Sequence, residues 1–401
     1  MLADSDTRWK WGALTAHRLA PGARLDGRLL RGRATPTVRQ LTEVGVRADA
    51  VAEVTGVEFV RTADRDRSDI VVLACVGGAV QAVLHGLARA WEGSGRRPVV
   101  VTGYVGVVYE KLADGLLLRH GADVVLANSR HDAERFRAVY AGVGAPADSV
   151  TECALPFLGG DRYTSTAQPE FRPYTVVFAA QPSVPESRAD RSYLLHRAVR
   201  HARLYPQRDV LIKLRSKPGE HTTHIEELPY QRLAARLRGG LPPNCRLIYG
   251  HMGEVLGRTD LLVTVSSTAA LEALHRGIPT AVLTDLGVRE PLGNHHFLGS
   301  GCLASWDQLD AGHLPKADPV WTAAQGVSAD SPYEQAFDEA RLRVAELLAR
   351  PALPPLAPYY TAGTAPGYLP GILARHGFDA DGRPLPGRAG APRPESALRR
   401  A

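Results

Sequence analysis

Apolar and polar positions along the chain alternate in a repeating block pattern. The stretches DIVVLAC (69–75), RPVVVTGY (97–104) and ADVVLANS (122–129) are short apolar runs bounded by polar or turn residues, the mark of fully buried strands. Between them lie GGAVQAVLHGLARAWEGSG and SRHDAERFRAVYAGVG, whose apolar residues recur at helical spacing. The second opens at Ser129, a residue suited to capping a helix, and closes in glycines. Strand, helix, strand in this order predicts a parallel sheet with helices on both faces. The opening residues fit less well. MLADSD leaves room for only a very short strand before WKWGALTAHRLA begins a helical pattern.

A Pro- and Thr-rich break at 157–175 reads as a linker, and the alternation then restarts. TVVFAAQ (175–181), DVLIKLRS (209–216), NCRLIYG (244–250), DLLVTVS and PTAVLTD are the strands, with helical patterns between them. The fold class expected is α/β, with two tandem Rossmann-like, doubly wound domains facing a central cleft. The expected units are 1–158, 172–330, a helical segment over 331–378, and a tail from 379 to 401 whose Arg, Pro, Gly and Ala leave little to bury. In such sheets ligands bind outside the C-terminal ends of the strands, so loops at those ends are the places to look for chemistry.

Composition narrows the field. A chain of 401 residues suits two medium domains, and 44% hydrophobic with 22% charged residues is ordinary for a globular protein. The net charge of +6 is spread out, with no Lys/Arg block interleaved with aromatics, so a dedicated nucleic-acid binder is not expected. Cys75, Cys153, Cys245 and Cys302 lie far apart and form no metal-binding pair. They fit a reducing cytoplasm, and the mild positive charge suits an anionic ligand or a peripheral place on the inner membrane face. No run reaches the length of a membrane span and no signal-peptide pattern opens the chain.

The most informative stretch is VTVSSTAALEALHRGIPTAVLTD (263–285), in which Ser266, Ser267 and Thr268 fill the turn from a strand into a helix. Unpaired N–H groups and hydroxyls there favour an anion. Glu272 follows one turn later on the same helix face, where its carboxylate can accept from two ribose hydroxyls. A capping box fits the same residues. SSTAALEALHRGIP resembles the nucleotide-sugar-binding signature of GT-B glycosyltransferases. Together with ADSDTRWKWG and VLIKLRSKPGE, it resembles an actinobacterial family of glycosyltransferase-like proteins, more distantly the polysialyltransferase and CDP-glycerol glycerophosphotransferase branch. The resemblance implies a GT-B fold, a diphosphate at the hydroxyl turn and a ribose on Glu272. It also implies transfer of a sugar from a nucleotide-sugar co-substrate to an acceptor hydroxyl, without metal or other cofactor. The acceptor class in view is a lipid-linked or cell-envelope glycan. A nucleotide-sugar 2-epimerase and a non-catalytic protein of the same fold are the alternatives.

Other strand ends supply further candidates. Lys213 and Arg215 alternate on one strand face and can neutralise a phosphate, with His221 on the loop beyond. Gln181 closes a neighbouring strand, and Arg188 and Arg191 approach the next helix. In the first half, Asp6 is placed either as general base or as a helix cap, and Glu110 is an alternative base. Gly77, Gly78, Gly103 and Tyr104 are candidate acceptor contacts. The Gly77–Gly78 turn is no dinucleotide fingerprint, and the Asp-X-Asp triplets at 4–6 and 64–66 are too short to imply a metal.

Overall fold

In the computed structural model, residues 1–64, 66–94, 96–106, 111–164, 172–217, 220, 228–330 and 332–386 are described. The first half forms a seven-stranded sheet of β1 (Leu2–Ala3), β2 (Asp26–Leu30), β3 (Ala50–Val54), β4 (Ile70–Ala74), β5 (Val99–Gly103), β6 (Val124–Ala127) and β7 (Val150–Glu152), in the order 3-2-1-4-5-6-7. The second half forms a six-stranded sheet of β8 (Thr175–Ala179), β9 (Asp209–Lys213), β10 (Cys245–Ile248), β11 (Leu261–Thr264), β12 (Thr280–Leu283) and β13 (Leu303–Ala304), in the order 10-9-8-11-12-13. The ladders are parallel, with crossover helices between strands. This is the doubly wound α/β architecture that the block pattern predicts.

The short first strand is central. Leu2 and Ala3 pair with Arg28 and Leu29 on one side and with Leu73 and Ala74 on the other, and both are fully buried. Four strands have no clear apolar run. β3 is a sheet edge with three exposed residues, β7 and β13 are short, and β2 (DGRLL) is half polar. Edge and short strands bury too little to leave a hydrophobic signature.

One continuous buried apolar cluster runs from Trp9, Trp11 and Val101 in the first half to Leu262, Leu271 and Val282 in the second. The helix Asp338–Ala349 returns to the first sheet, packing on β5, β6 and β7 and on the helix Asp6–Leu19. The helix Leu369–Arg375 lies on the helix Gly77–Ala90. Ordered chain continues past 378: Asp379 N donates to Arg383 O at 2.8 Å and Leu385 N to Gly377 O at 2.8 Å, so the tail foreseen from 379 opens with a docked turn. Residues 387–401 lie outside the described residues. The linker is also anchored where it is described, since Tyr163 N donates to Arg276 O (2.8 Å) and Arg276 Nε to Gly159 O (2.7 Å).

The four cysteines are buried and unpaired with one another, as expected of small core residues. No helix among the described residues is long and apolar enough to cross a membrane.

Candidate functional site

Both sheets reverse their winding direction at an internal boundary, between β1 and β4 and between β8 and β11. A side chain fastens each boundary at the C-terminal strand ends. Asp4 Oδ2 accepts from Val76 N at 2.8 Å in the first sheet, and Gln181 Oε1 accepts from Ser266 N at 2.9 Å in the second. These two crevices open toward each other into one cleft of about 1210 Å³.

The wall from the second half carries most of the sequence candidates. Gln181, Lys213, Arg215, Ser266, Ser267, Thr268 and Glu272 all line the cleft, brought there from the ends of β8, β9 and β11. Their roles differ. Ser266 is consumed by the fold: its hydroxyl donates to Leu292 O at 2.6 Å and accepts from Gln181 Nε2 at 3.2 Å. Gln181 and Ser266 therefore brace the boundary. Ser267 accepts from Ala269 N at 3.3 Å, which is part of the capping alternative, and its own proton remains available. The Thr268 hydroxyl makes no capping bond to the helix Ala269–His275. Thr268 and Ser267 are the hydroxyls that face the cleft ready to donate.

Lys213 is buried, and its Nζ donates to Leu214 O at 2.7 Å, which leaves further N–H groups for a ligand. Burial pushes its pKa down to about 8; Glu43 opposes the shift, while Arg215, Lys10 and Arg39 add to it. Arg188 lines the cleft. Arg191 is instead buried, donating to the carbonyls of Gln181, Pro182 and Leu228 and lying 4.5 Å from the Tyr230 ring, so it shapes the loop after β8.

The opposite wall comes from Asp6, Thr7, Lys10, Gln40, Glu43, Val44, Val105, Gly106 and Phe157. Ser5 caps the helix Asp6–Leu19, which leaves Asp6 free of the capping role. Its carboxylate instead pairs with Arg215 across the cleft, with Arg215 Nε at 3.3 Å from Oδ2. Burial raises the Asp6 pKa, but the charge and hydrogen bonds of Arg215 outweigh it and hold the carboxyl below its ordinary value. While that pair is intact, Asp6 is a poor base. Lys10 Nζ stands 3.5 Å from Glu272 Oε2 and 4.6 Å from the Phe157 ring centre. Arg39 pairs with Glu43 on its own helix and with Glu220 of the second half, and Glu43 Oε1 accepts from Gly250 N at 3.0 Å.

Several first-half candidates take structural places. Gly103 is buried, and a side chain there would meet Trp11 at 2.7 Å, so the glycine admits the indole. A side chain at Gly77 would meet Leu118 at 2.8 Å, and one at Gly78 would meet Ile372 at 3.6 Å, so this turn supports packing rather than the cleft. Tyr104 lies 4.0 Å from the Arg119 guanidinium and 5.5 Å from the Phe136 ring, and burial raises its pKa. His221 and Glu110 lie outside the described residues. His296 is half-buried, its pKa pushed down to about 4 by desolvation and by neighbouring His131, Arg135 and His295. Among the described residues, no group of three or more His, Cys, Asp or Glu side chains could hold a metal ion.

Lys10 and His251 are among the cleft residues that escaped the sequence reading. Lys10 lies four residues after Asp6, hence on the same helix face, a spacing that could have revealed it. His251 stands three residues beyond the end of β10 and lines the cleft beside Lys10 and Glu272. Burial, then Lys10, lowers its pKa, which favours a neutral imidazole.

Two doubly wound units that present their C-terminal strand ends to a shared cleft, with the final helices crossing back to the first unit, define a GT-B fold. S. aureus MnaA, in a co-structure with UDP, shares it with a TM-score of 0.53 at 13% identity, over 85% of this chain and 93% of that one. A UDP-N-acetylglucosamine 2-epimerase shares it with a TM-score of 0.52 at 13% identity, over 88% of this chain and 96% of that one. The chain belongs to the family described as "Putative glycosyltransferase (DUF6716)", whose model matches residues 1–347. No curated protein matches it by sequence.

Proposed function

We propose that the protein transfers a sugar, or a related group, from a nucleotide-activated donor to an acceptor hydroxyl, with the donor on the second unit and the acceptor against the first. The observation that carries this reading is the convergence of Lys213, Arg215, Ser267 and Thr268 on one cleft, with the Glu272 carboxylate one helical turn behind the hydroxyls. Cations and hydroxyl donors suit a diphosphate, and a buried carboxylate suits a ribose diol. UDP, which the S. aureus protein holds, is the first nucleotide to test.

In this reading the donor diphosphate lies between Lys213, Arg215 and the Ser267–Thr268 turn. These groups neutralise the charge that develops as the bond from sugar carbon to phosphate oxygen breaks. The protein's own cations do this work in the proposed reaction, with no metal assigned to the step. Glu272, with Lys10 beside it, fixes the ribose and so the position of the sugar. The acceptor enters along Val44, Val105 and Phe157, with its hydroxyl toward the Asp6 side of the cleft.

The test is a product assay. The full chain is incubated with UDP-, GDP-, TDP- and CMP-activated sugars, with and without a cell-envelope glycolipid extract. Nucleotide release that depends on the extract, with the sugar moved to a lipid fraction, is expected. A changed sugar still attached to its nucleotide, formed without the extract, identifies an epimerase instead. Absence of both products together with absence of nucleotide binding contradicts any donor-dependent chemistry.

A further inference from the structure

The cleft is crossed by ion pairs of a particular kind: a residue suited to a ligand on one wall is held by an opposite charge from the other. Arg215, at the end of β9, is the clearest case. Its Nε and Nη2 are given to Asp6, Nη2 also donates to Thr7 Oγ1, and among the described residues its Nη1 has no hydrogen-bond partner. Both partners line the cleft and both are mostly buried, with side chains 28% and 13% exposed. Among the described residues Arg215 is therefore half engaged, and it lines the cavity.

A diphosphate entering the cleft meets Arg215 there. It carries more than one negative charge, and it arrives a few ångströms from a carboxylate in a partly water-excluded place. Two anions around one guanidinium repel each other, so the stronger one draws the cation away from the weaker. We propose that Asp6 and the donor diphosphate compete for Arg215, so that donor binding claims the guanidinium and releases Asp6 to take the proton of the acceptor hydroxyl. This rests on the transferase reading of the cleft.

The step balances. The acceptor O–H bond breaks and its proton goes to an Asp6 carboxylate oxygen. The acceptor oxygen bonds to the sugar carbon, and the bond from that carbon to the phosphate oxygen breaks with its electron pair leaving on the nucleotide. Before the donor arrives, Asp6 is held by Arg215 and is a poor base. The competition makes proton removal depend on bound donor, and it is reciprocal: whatever weakens the Asp6–Arg215 pair strengthens donor binding.

Isothermal titration of UDP and of inorganic pyrophosphate separates this from a pair that only holds the two units together. Asp6→Asn removes the competing charge, so both ligands should bind more tightly, on the order of tenfold, the scale of one charge-assisted hydrogen bond. In an Arg215→Ala background the same change should have no effect, and Arg215→Ala alone should weaken both ligands. Weaker or unchanged binding by a folded Asp6→Asn variant overturns the competition. A second measurement needs no variant: carboxylate NMR of the wild type should show the Asp6 pKa rising when UDP is added. Arg215 and Thr7 touch that carboxylate, and Lys10, Glu43, Lys213 and His251 share its cavity. An unmoved Asp6 titration in a UDP-saturated sample also overturns it. If wild type and Asp6→Asn both bind neither ligand, the donor-site reading itself fails, a result distinct from bound ligand without competition.

Discussion

Lys213 shows how a single residue can be assigned from its surroundings. It stands at the end of a buried strand, and burial pushes its pKa down to about 8. The sign is opposite to that of a lysine stabilised by an acid. In the unfolded chain a lysine keeps its proton to a pKa of about 10.4, so between there and about 8 the unfolded chain holds a proton that folded Lys213 lacks. Stability attributable to this group therefore rises with pH across that window, whereas its attraction for an anion is present below about 8 and fades above it. UDP affinity measured by titration calorimetry should accordingly fall as pH passes through about 8, and Lys213→Met should bind more weakly and lose this dependence. An unchanged pH profile in Lys213→Met excludes Lys213 from the anion site. The alternation of Lys213 and Arg215 was legible in the sequence because strand periodicity alone puts them on one face. The packing roles of Gly103, filled by Trp11, and of Tyr104, stacked on Arg119, were not legible, since the partners come from distant parts of the chain.

At the scale of elements, the hydroxyl turn between β11 and the helix Ala269–His275 braces the sheet boundary and, in the proposed reading, also holds the diphosphate. The sequence could not separate capping from ligand binding, because both use the same residues at the same spacing. The hydrogen bonds divide the labour: Ser266 fastens the sheet boundary, Ser267 accepts from Ala269 N, and Thr268 makes no cap. Thr268→Ala should therefore weaken UDP by about 1.5 to 3 kcal/mol, the range for a hydrogen bond to a charged group, with an unchanged melting temperature. Ser267→Ala should lower both the affinity and the melting temperature. Equal affinities for Thr268→Ala and wild type reduce the turn to a structural cap. Long buried strands such as β4, β5, β8 and β11 were readable from their apolar runs. The edge strand β3 and the two-residue β13 were not, because neighbours rather than composition define them.

At the scale of the molecule, the cleft belongs to both halves. The block pattern was enough to expect two doubly wound units and to point to their strand ends. It could not show that Lys10 of the first unit would reach Glu272 of the second, or that Arg215 would reach Asp6, since contacts between units leave no local period in a sequence. The Lys10 pair leaves the Glu272 carboxylate buried and beside a cation on the cleft, where the proposed reading seats a ribose diol. The most direct measurement is a cycle of four dissociation constants: UDP and 2′-deoxy-UDP with the wild type and with Glu272→Gln. The expected result is a clear loss for UDP in the variant and a much smaller loss for the deoxynucleotide, giving a nonzero coupling between the carboxylate and the 2′-hydroxyl. A coupling near zero, in a variant that remains folded and still binds both ligands, contradicts the placement of the ribose on Glu272 and with it the donor site on the second unit.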